Sequence, residues 1–251
     1  KSDDIIFAKH PAASSSAYLE YYDNKILLVT GTGQITFTNF ENFKKNKLIF
    51  NTINSNIQDM IQYTEFFNSS AFGIKDILVN NNTIYVSYIK KHYDDCYSTS
   101  ILHGKINLEF IFFEELYSPE NCVNSADEFY DASRHDKMVV HQSGGRLIFA
   151  NNKLIFSTGE FRLRTLAQDI NSDFGKIISL DLSNNFKKTI SLGHRNPQGL
   201  FYSKKLNKIF STEHGPSGGD EINTIKLDLE KNENLPNFGW PISSYGRHYF
   251  D

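Results

Sequence analysis

Residues 192–223 read LGHRNPQGLFYSKKLNKIFSTEHGPSGGDEIN, and most of the chain's chemically useful side chains gather here. Arg195, Asn196, His214, Asp220 and Glu221 stand among Gly193, Gly199, Gly215, Gly218, Gly219, Pro197 and Pro216. Glycine and proline at such density fix a backbone path and let it approach a ligand closely. The pattern points to a binding site built partly from backbone atoms. An exposed linker could be equally rich in glycine, but it would have little reason to hold an Arg-Asn pair and an Asp-Glu pair around its turns.

Two further candidates lie upstream. His141 stands where a polar loop meets a strand, in HQSGGRLIF, just before Gly144 and Gly145. Lone histidines are usually structural or solvated; position alone makes this one a candidate. Glu160, in STGEFRLR, ends the hairpin that His141 begins. The outer ends of such a hairpin meet on one rim, so a His-carboxylate contact is geometrically reasonable, the other reading being a rim carboxylate facing water.

The elements that must carry these groups read as short strands. DNKILLVT, GTG and QITFTNF form a strand, a glycine turn and a second strand with alternating Ile35 and Phe37. Related units recur as NNNTIYVSY near Asn82, NNKLIFST near Asn152 and KLNKIFST near Asn207. Further strands are expected at KLIFNTI from Lys47, ILHGKINLEFIFF from Ile101 and GKIISLDLS from Gly175. Residues 1–20 read as an entering strand with loops and residues 119–137 as a long irregular loop. Trp240, between Gly239 and Pro241, is expected to cover a sheet edge. Repeated small sheets with no long helix suggest a β-propeller, whose radial closure leaves only short, protected strand edges.

Bulk properties narrow the function classes. The 251 residues, 39% hydrophobic and 22% charged, describe a globular chain. A net charge of -3 and only paired lysines, such as Lys44-Lys45 and Lys187-Lys188, argue against nucleic-acid binding. No apolar run is long enough to span a membrane. The sequence starts at Lys1 without Met or leader, a start that leader removal or an expression boundary would produce equally. Cys96 and Cys122 both sit in polar turns, which favours a disulfide between them, and an oxidising compartment, over two buried thiols.

At the level of motifs the chain resembles the soluble quinoprotein glucose/sorbosone dehydrogenase family. The resemblance runs from about residue 23 to 249 and rests on HQSGGRL, TGE, AQD with FGKI, GHRNPQGL, EHGPSGGDEIN and NFGWP. It implies a six-bladed β-propeller, of which residues 1–251 would form one domain of four to five blades, incomplete at the C-terminus. It implies PQQ- and calcium-dependent oxidation of aldoses to lactones, with electrons passed to an external acceptor, in the periplasm or outside the cell. An oligomer is possible.

Position by position, His141 matches the general base and Glu160 the acidic residue that orients it. Arg195 and Asn196 match the pair at the quinone, and His214 lies in the quinone-facing turn. Gly215 and Pro216 match the carbonyls that hold the cofactor's calcium, while Glu221, next to Asp220, belongs to a further calcium site or to the structure around this loop. Three features depart from the pattern. Ala71, in SSAFGIKDI, stands where the family often has a cofactor-facing Gln. Glu160 replaces the more usual Asp. The basic residues that clamp the quinone's carboxylates would lie beyond Asp251. A propeller that kept the calcium loop and lost the redox chemistry, acting as a binding protein, is the alternative reading.

Overall fold

The computed structural model describes residues 17–45, 47, 49–93, 95–124, 138–227 and 235–247. The expected entering strand is present from residue 17; residues 1–16, and residues 125–137 of the expected long loop, lie outside the described part. The chain divides into two compact units, residues 1–91 with 100–118 and residues 92–99 with 119–251.

In the first unit, β1 (Ala17–Tyr22), β2 (Lys25–Thr30), β3 (Ile35–Asn39) and β4 (Asn51–Ser55) form an antiparallel sheet in sequence order. A second sheet is made by β5 (Ile74–Asn80), β6 (Thr83–Lys91) and β7 (Cys96–Lys105). The two-residue β8 (Phe110–Ile111) joins β4 in parallel, and β9 (Phe113–Tyr117) pairs with the end of β7. The run from Ile101, expected as one strand, is thus divided among β7, β8 and β9. Three helices of four or five residues, Phe40–Lys44, Ile57–Met60 and Thr64–Asn68, fill connections. Leu27, Val29, Ile35, Phe66, Ile84 and Phe113 are among the core residues of this unit.

Two ionisable groups of the first unit are drawn off the surface. Glu20 of β1 has its carboxyl pushed up to about 7 by burial and by the nearby charge of Asp76 on β5. Lys75 donates to the Ala71 carbonyl and, at 3.5 Å, to that of Ser70. Burial lowers its ammonium to about 8.

In the second unit, β10 (Val123–Asn124) pairs with the first residues of β7, and a Cys96–Cys122 disulfide closes this corner, as the two polar turns suggested. Then β11 (Gly144–Ala150), β12 (Lys153–Thr158), β13 (Lys176–Asp181) and β14 (Phe186–Leu192) form a four-stranded antiparallel sheet. The strands β15 (Pro197–Ser203), β16 (Lys208–Glu213) and β17 (Glu221–Lys226) form a three-stranded one. Ile155, Ile177, Ile190, Ile209 and Ile225 share the core of this unit.

The recurrent asparagines have a conformational reason. Asn24, Asn151, Asn152 and Asn207 all sit at positive φ in hairpin turns, a region that asparagine tolerates better than most residues. Tyr202 Oη joins two of these turns, lying 2.9 Å from Asn151 Oδ1 and 3.1 Å from Asn207 Oδ1, with its one proton available to either.

Candidate active site

The candidate residues gather in the second unit because its loops are laced to one another through the backbone. Val139 N–H donates to Phe161 O at 2.7 Å and Phe161 N–H to Gln142 O at 2.9 Å. This joins the turn carrying His141 to the turn carrying Glu160. Gly159 makes the approach possible: a Cβ there would lie 2.0 Å from Gln142 O. Glu160 N–H donates to Arg195 O at 3.1 Å, Gly175 N–H to Gly159 O at 3.1 Å and His194 N–H to Gly175 O at 3.1 Å. Gly193, at φ 78°, completes the lattice by donating to Ala167 O at 2.9 Å.

His141 lies in a 3-10 turn (Val140–Gln142) with its side chain exposed. Asn196 fixes that turn from both sides. Its Nδ2 donates to the His141 carbonyl at 3.3 Å, and its Oδ1 accepts from Gly144 N–H at 3.1 Å. The strand end that follows His141 and the residue that follows Arg195 are therefore held by one buried carboxamide.

Glu160 does not face water; it is fully buried. One carboxylate oxygen meets Gln142 rather than the His141 ring. With the Gln142 amide oriented to satisfy both neighbours, Nε2 donates to Glu160 Oε1 at 2.5 Å and Oε1 accepts from Arg195 Nη2 at 2.9 Å. The adjacent Gln142, one residue further along the turn, takes the contact the hairpin geometry suggested for His141.

Arg195 is buried, and its Nη1 donates to the His214 carbonyl at 2.9 Å. Its guanidinium carbon lies 5.4 Å from the centre of the Trp240 ring; that of Arg164, also buried, lies 5.6 Å from it. Trp240 therefore covers two guanidinium groups as well as packing into the structure.

The loop of residues 214–220 closes on itself. A Cβ at Gly215 would lie 1.7 Å from Gly219 O, and Gly219 N–H donates to Pro216 O at 2.8 Å. Asp220 Oδ1 accepts from Gly215 N–H at 3.1 Å, and Glu221 Oε2 accepts from Asn223 Nδ2 at 2.9 Å. The His214 ring is exposed, with Nδ1 3.7 Å from Asp220 Oδ2. Beside it opens a cleft of about 400 Å³ bordered by Gln198, Asp220 and Glu221.

A sequence reading centred on charged residues next to glycines missed a heavily bonded group. Glu213, at the end of β16, is buried with both carboxylate oxygens engaged. Oε1 lies 3.0 Å from His194 Nδ1 and accepts from Asn223 Nδ2 at 2.6 Å; Oε2 accepts from Arg195 N–H at 3.0 Å. Burial raises the Glu213 carboxyl, but the charge of His194 and these hydrogen bonds outweigh it and hold the group below the usual carboxylate range. His194 Nε2 lies 2.7 Å from Ser191 Oγ, and the ring stacks on Phe238 at 4.8 Å. The available signal was parity: Ile209, Ser211 and Glu213 share one face of β16, so a carboxylate stood where the strand turns inward.

Lys176 was missed as well. Its buried ammonium donates to the carbonyls of Leu166, Ala167 and Phe174 at 2.8, 3.1 and 2.7 Å, and burial lowers it to about 8. It pins the loop that carries Arg164.

The site's donors can be tested against the two groups the motifs imply. Two buried guanidinium groups around an indole suit a flat, anionic ligand. Calcium takes six to eight oxygens. The Gly215 and Pro216 carbonyls are two neutral donors, and among the described residues no three His, Cys, Asp or Glu side chains converge as metal ligands. The chain's own donors fit a calcium only where a chelating ligand and water bring the remaining oxygens.

Comparison with known proteins gives the family and the fold. The sequence model described as Glucose / Sorbosone dehydrogenase matches residues 20–251. The aldose sugar dehydrogenase YliI of Escherichia coli is 35% identical over 120 residues, which are 42% of this chain and 30% of that protein. Quinoprotein glucose dehydrogenase B of Acinetobacter calcoaceticus is 28% identical over 131 residues, 40% of this chain and 26% of that protein. Among solved structures, the apo-form of the soluble aldose sugar dehydrogenase of Escherichia coli matches with a TM-score of 0.69 at 21% identity, covering 93% of this chain and 64% of that one. The PQQ-bound aldose sugar dehydrogenase of Streptomyces coelicolor matches with a TM-score of 0.63 at 18% identity, covering 91% and 68%. At these identities the likeness shows the fold, which is all-β and of the β-propeller type expected from the recurrent hairpins. The chain thus spans about two thirds of the length of these solved structures and less of the curated relatives.

Proposed function

The chain belongs to the glucose/sorbosone dehydrogenase family, and from that premise we propose that the complete protein oxidises aldoses to lactones with PQQ and calcium. The carrying observation is the single carboxamide of Asn196, which ties the turn of the exposed His141 to the segment of the buried Arg195. A base open to a substrate and a cation shielded from water are the two different environments this reaction asks for.

Removing a proton from the anomeric hydroxyl and a hydride from the carbon that bears it leaves a lactone. His141 takes the proton on a ring nitrogen, and Asn196 keeps the ring's backbone from drifting. Arg195, shielded by Trp240 and oriented by His214 O and Gln142, stabilises negative charge growing on a bound oxygen. Its low exposure strengthens that effect. Glu160 acts through Gln142 on Arg195, so its contribution is to the cation and not to the base. Asn196 and His214 border the ligand, Gly215 and Pro216 offer carbonyl oxygens to calcium, and Glu221 supports the loop through Asn223. When bound, PQQ would supply the hydride acceptor, and calcium would make it more electrophilic. The Cys96–Cys122 disulfide supports a periplasmic or extracellular setting.

Steady-state dye reduction by the complete protein, supplied with PQQ and calcium, tests the proposal. His141→Ala should lower turnover about 10²- to 10⁴-fold, the usual loss with a positioned base. Undiminished turnover would remove His141 from the mechanism. No turnover by quinone-loaded wild type across a panel of aldoses would favour the non-catalytic binding protein.

A further inference from the structure

We propose that Glu213, coupled to His194, is the positioning residue for Arg195. The inference rests on the reading that Arg195 meets an anionic ligand. It goes beyond that reading by assigning the group that sets where the guanidinium sits.

The geometry is a two-point grip by consecutive residues. Glu213 holds Arg195 at its backbone: Oε2 accepts from the Arg195 N–H at 3.0 Å. His214 holds Arg195 at its tip: the carbonyl accepts from Nη1 at 2.9 Å. Because the two gripping residues are neighbours, a shift of Glu213 moves both ends of the arginine together. The second carboxylate oxygen extends the grip backwards along the chain to His194 Nδ1 at 3.0 Å, so Arg195 and the residue before it are fixed by one group.

Each partner in this chain of bonds is itself restrained. His194 is fully buried, its Nε2 lies 2.7 Å from Ser191 Oγ, and its ring stacks on Phe238. With Nδ1 donating to Glu213, Nε2 meets the serine hydroxyl, which can either donate or accept, so every polar atom of the ring is satisfied in both protonation states. Asn223 Nδ2, reaching over from β17, donates to the same Glu213 oxygen at 2.6 Å. The arrangement Ser191, His194, Glu213 has the bond order of a hydrolytic triad, but Ser191 is fully buried and open to no substrate. What this relay can do is hold a carboxylate in one place. A carboxylate so placed has one further neighbour, the Arg195 amide.

The test is a double-mutant cycle on PQQ affinity, followed by the quinone's absorbance in the complete protein, with Glu213→Gln and Arg195→Ala alone and together. Positioning through Arg195 predicts that Glu213→Gln weakens binding about tenfold in the wild-type background and leaves affinity unchanged when Arg195 is already alanine. Equal losses in both backgrounds would reveal a general structural role and overturn the proposal, as would no loss in the wild type. Hydrogen exchange of the Arg195 amide in the ligand-free protein gives a readout independent of the quinone. It should be slow in the wild type and faster by at least tenfold in Glu213→Gln; unchanged exchange overturns the proposal. Should wild type bind no PQQ, the proposed function falls and the exchange measurement alone decides the positioning role. Asn223→Ala, which removes a peripheral bond to Glu213, guards against misfolding of the first variant. It should speed exchange of the same amide two- to threefold, and exchange at the wild-type rate counts against the grip.

Discussion

Glu20, half-buried in the first unit, and Glu213, buried in the second, end in opposite states. Glu20 has a second carboxylate, Asp76, for a neighbour, and its proton is held up to about 7. Glu213 has an imidazole, a backbone N–H and a carboxamide, and it stays ionised below the usual carboxylate range. Burial pushes both the same way. At Glu20 burial is the largest influence and Asp76 adds to it, against two backbone hydrogen bonds; at Glu213 the partners outweigh burial. Glu213 lies beside Arg195; Glu20 accepts from the backbone of Tyr21 and Val79 beside a like charge, Asp76.

The contrast can be broken most decisively at Glu213. Glu213→Leu should cost about 3 to 5 kcal/mol of stability in urea unfolding, because His194, the Arg195 amide and Asn223 would all lose their acceptor in a buried place. A cost below 1 kcal/mol would mean the network is not what holds this corner. Two lysines, Lys176 buried and Lys75 half-buried, extend the comparison. Lys176→Met should cost about 2 kcal/mol, since the carbonyls of Leu166 and Phe174 lose the ammonium and that of Ala167 keeps only Gly193 N–H. Lys75→Met, which releases only the carbonyls of Ala71 and Ser70, should cost about 1 kcal/mol by the same measurement. The reverse order would show that the number of acceptors does not govern the loss.

The last effect sits at Glu20 and is a dependence on pH. Its folded value, about 7, lies above the unfolded one near 4.3. Between those limits the native state binds more protons than the unfolded state, so stability should fall as pH rises from about 4.3 to 7. Glu20→Gln should flatten that slope. A wild type whose unfolding midpoint rises over the same window, with no difference in the variant, would show that Asp76 and burial do not act on Glu20 as described.

Much of the fold was legible because it depends on local rules. Alternating Ile35 and Phe37, and asparagines suited to positive φ at residues 24, 152 and 207, announce strands and hairpins without reference to the rest of the chain. The first unit was harder, since the run from Ile101 is divided by pairings with β4 and β7 that lie far away in sequence. At the candidate site, the motifs singled out Arg195, Asn196 and His141 but not their wiring. Gln142 rather than His141 meets Glu160 because Gly159 lets the two turns approach through the Gln142 carbonyl. Glu213 and Lys176 escaped notice because a buried charge is recognised by its partners, and those come from distant strands and loops.

The Cys96–Cys122 bridge makes the 26-residue separation between its ends a covalent ring. A protease that cuts once inside that ring releases nothing. The nicked chain would still migrate as one species on a denaturing gel, and would separate into two fragments when a reductant is added. That simple assay reports whether a given preparation was oxidised as it folded, before any sugar or quinone is offered to it.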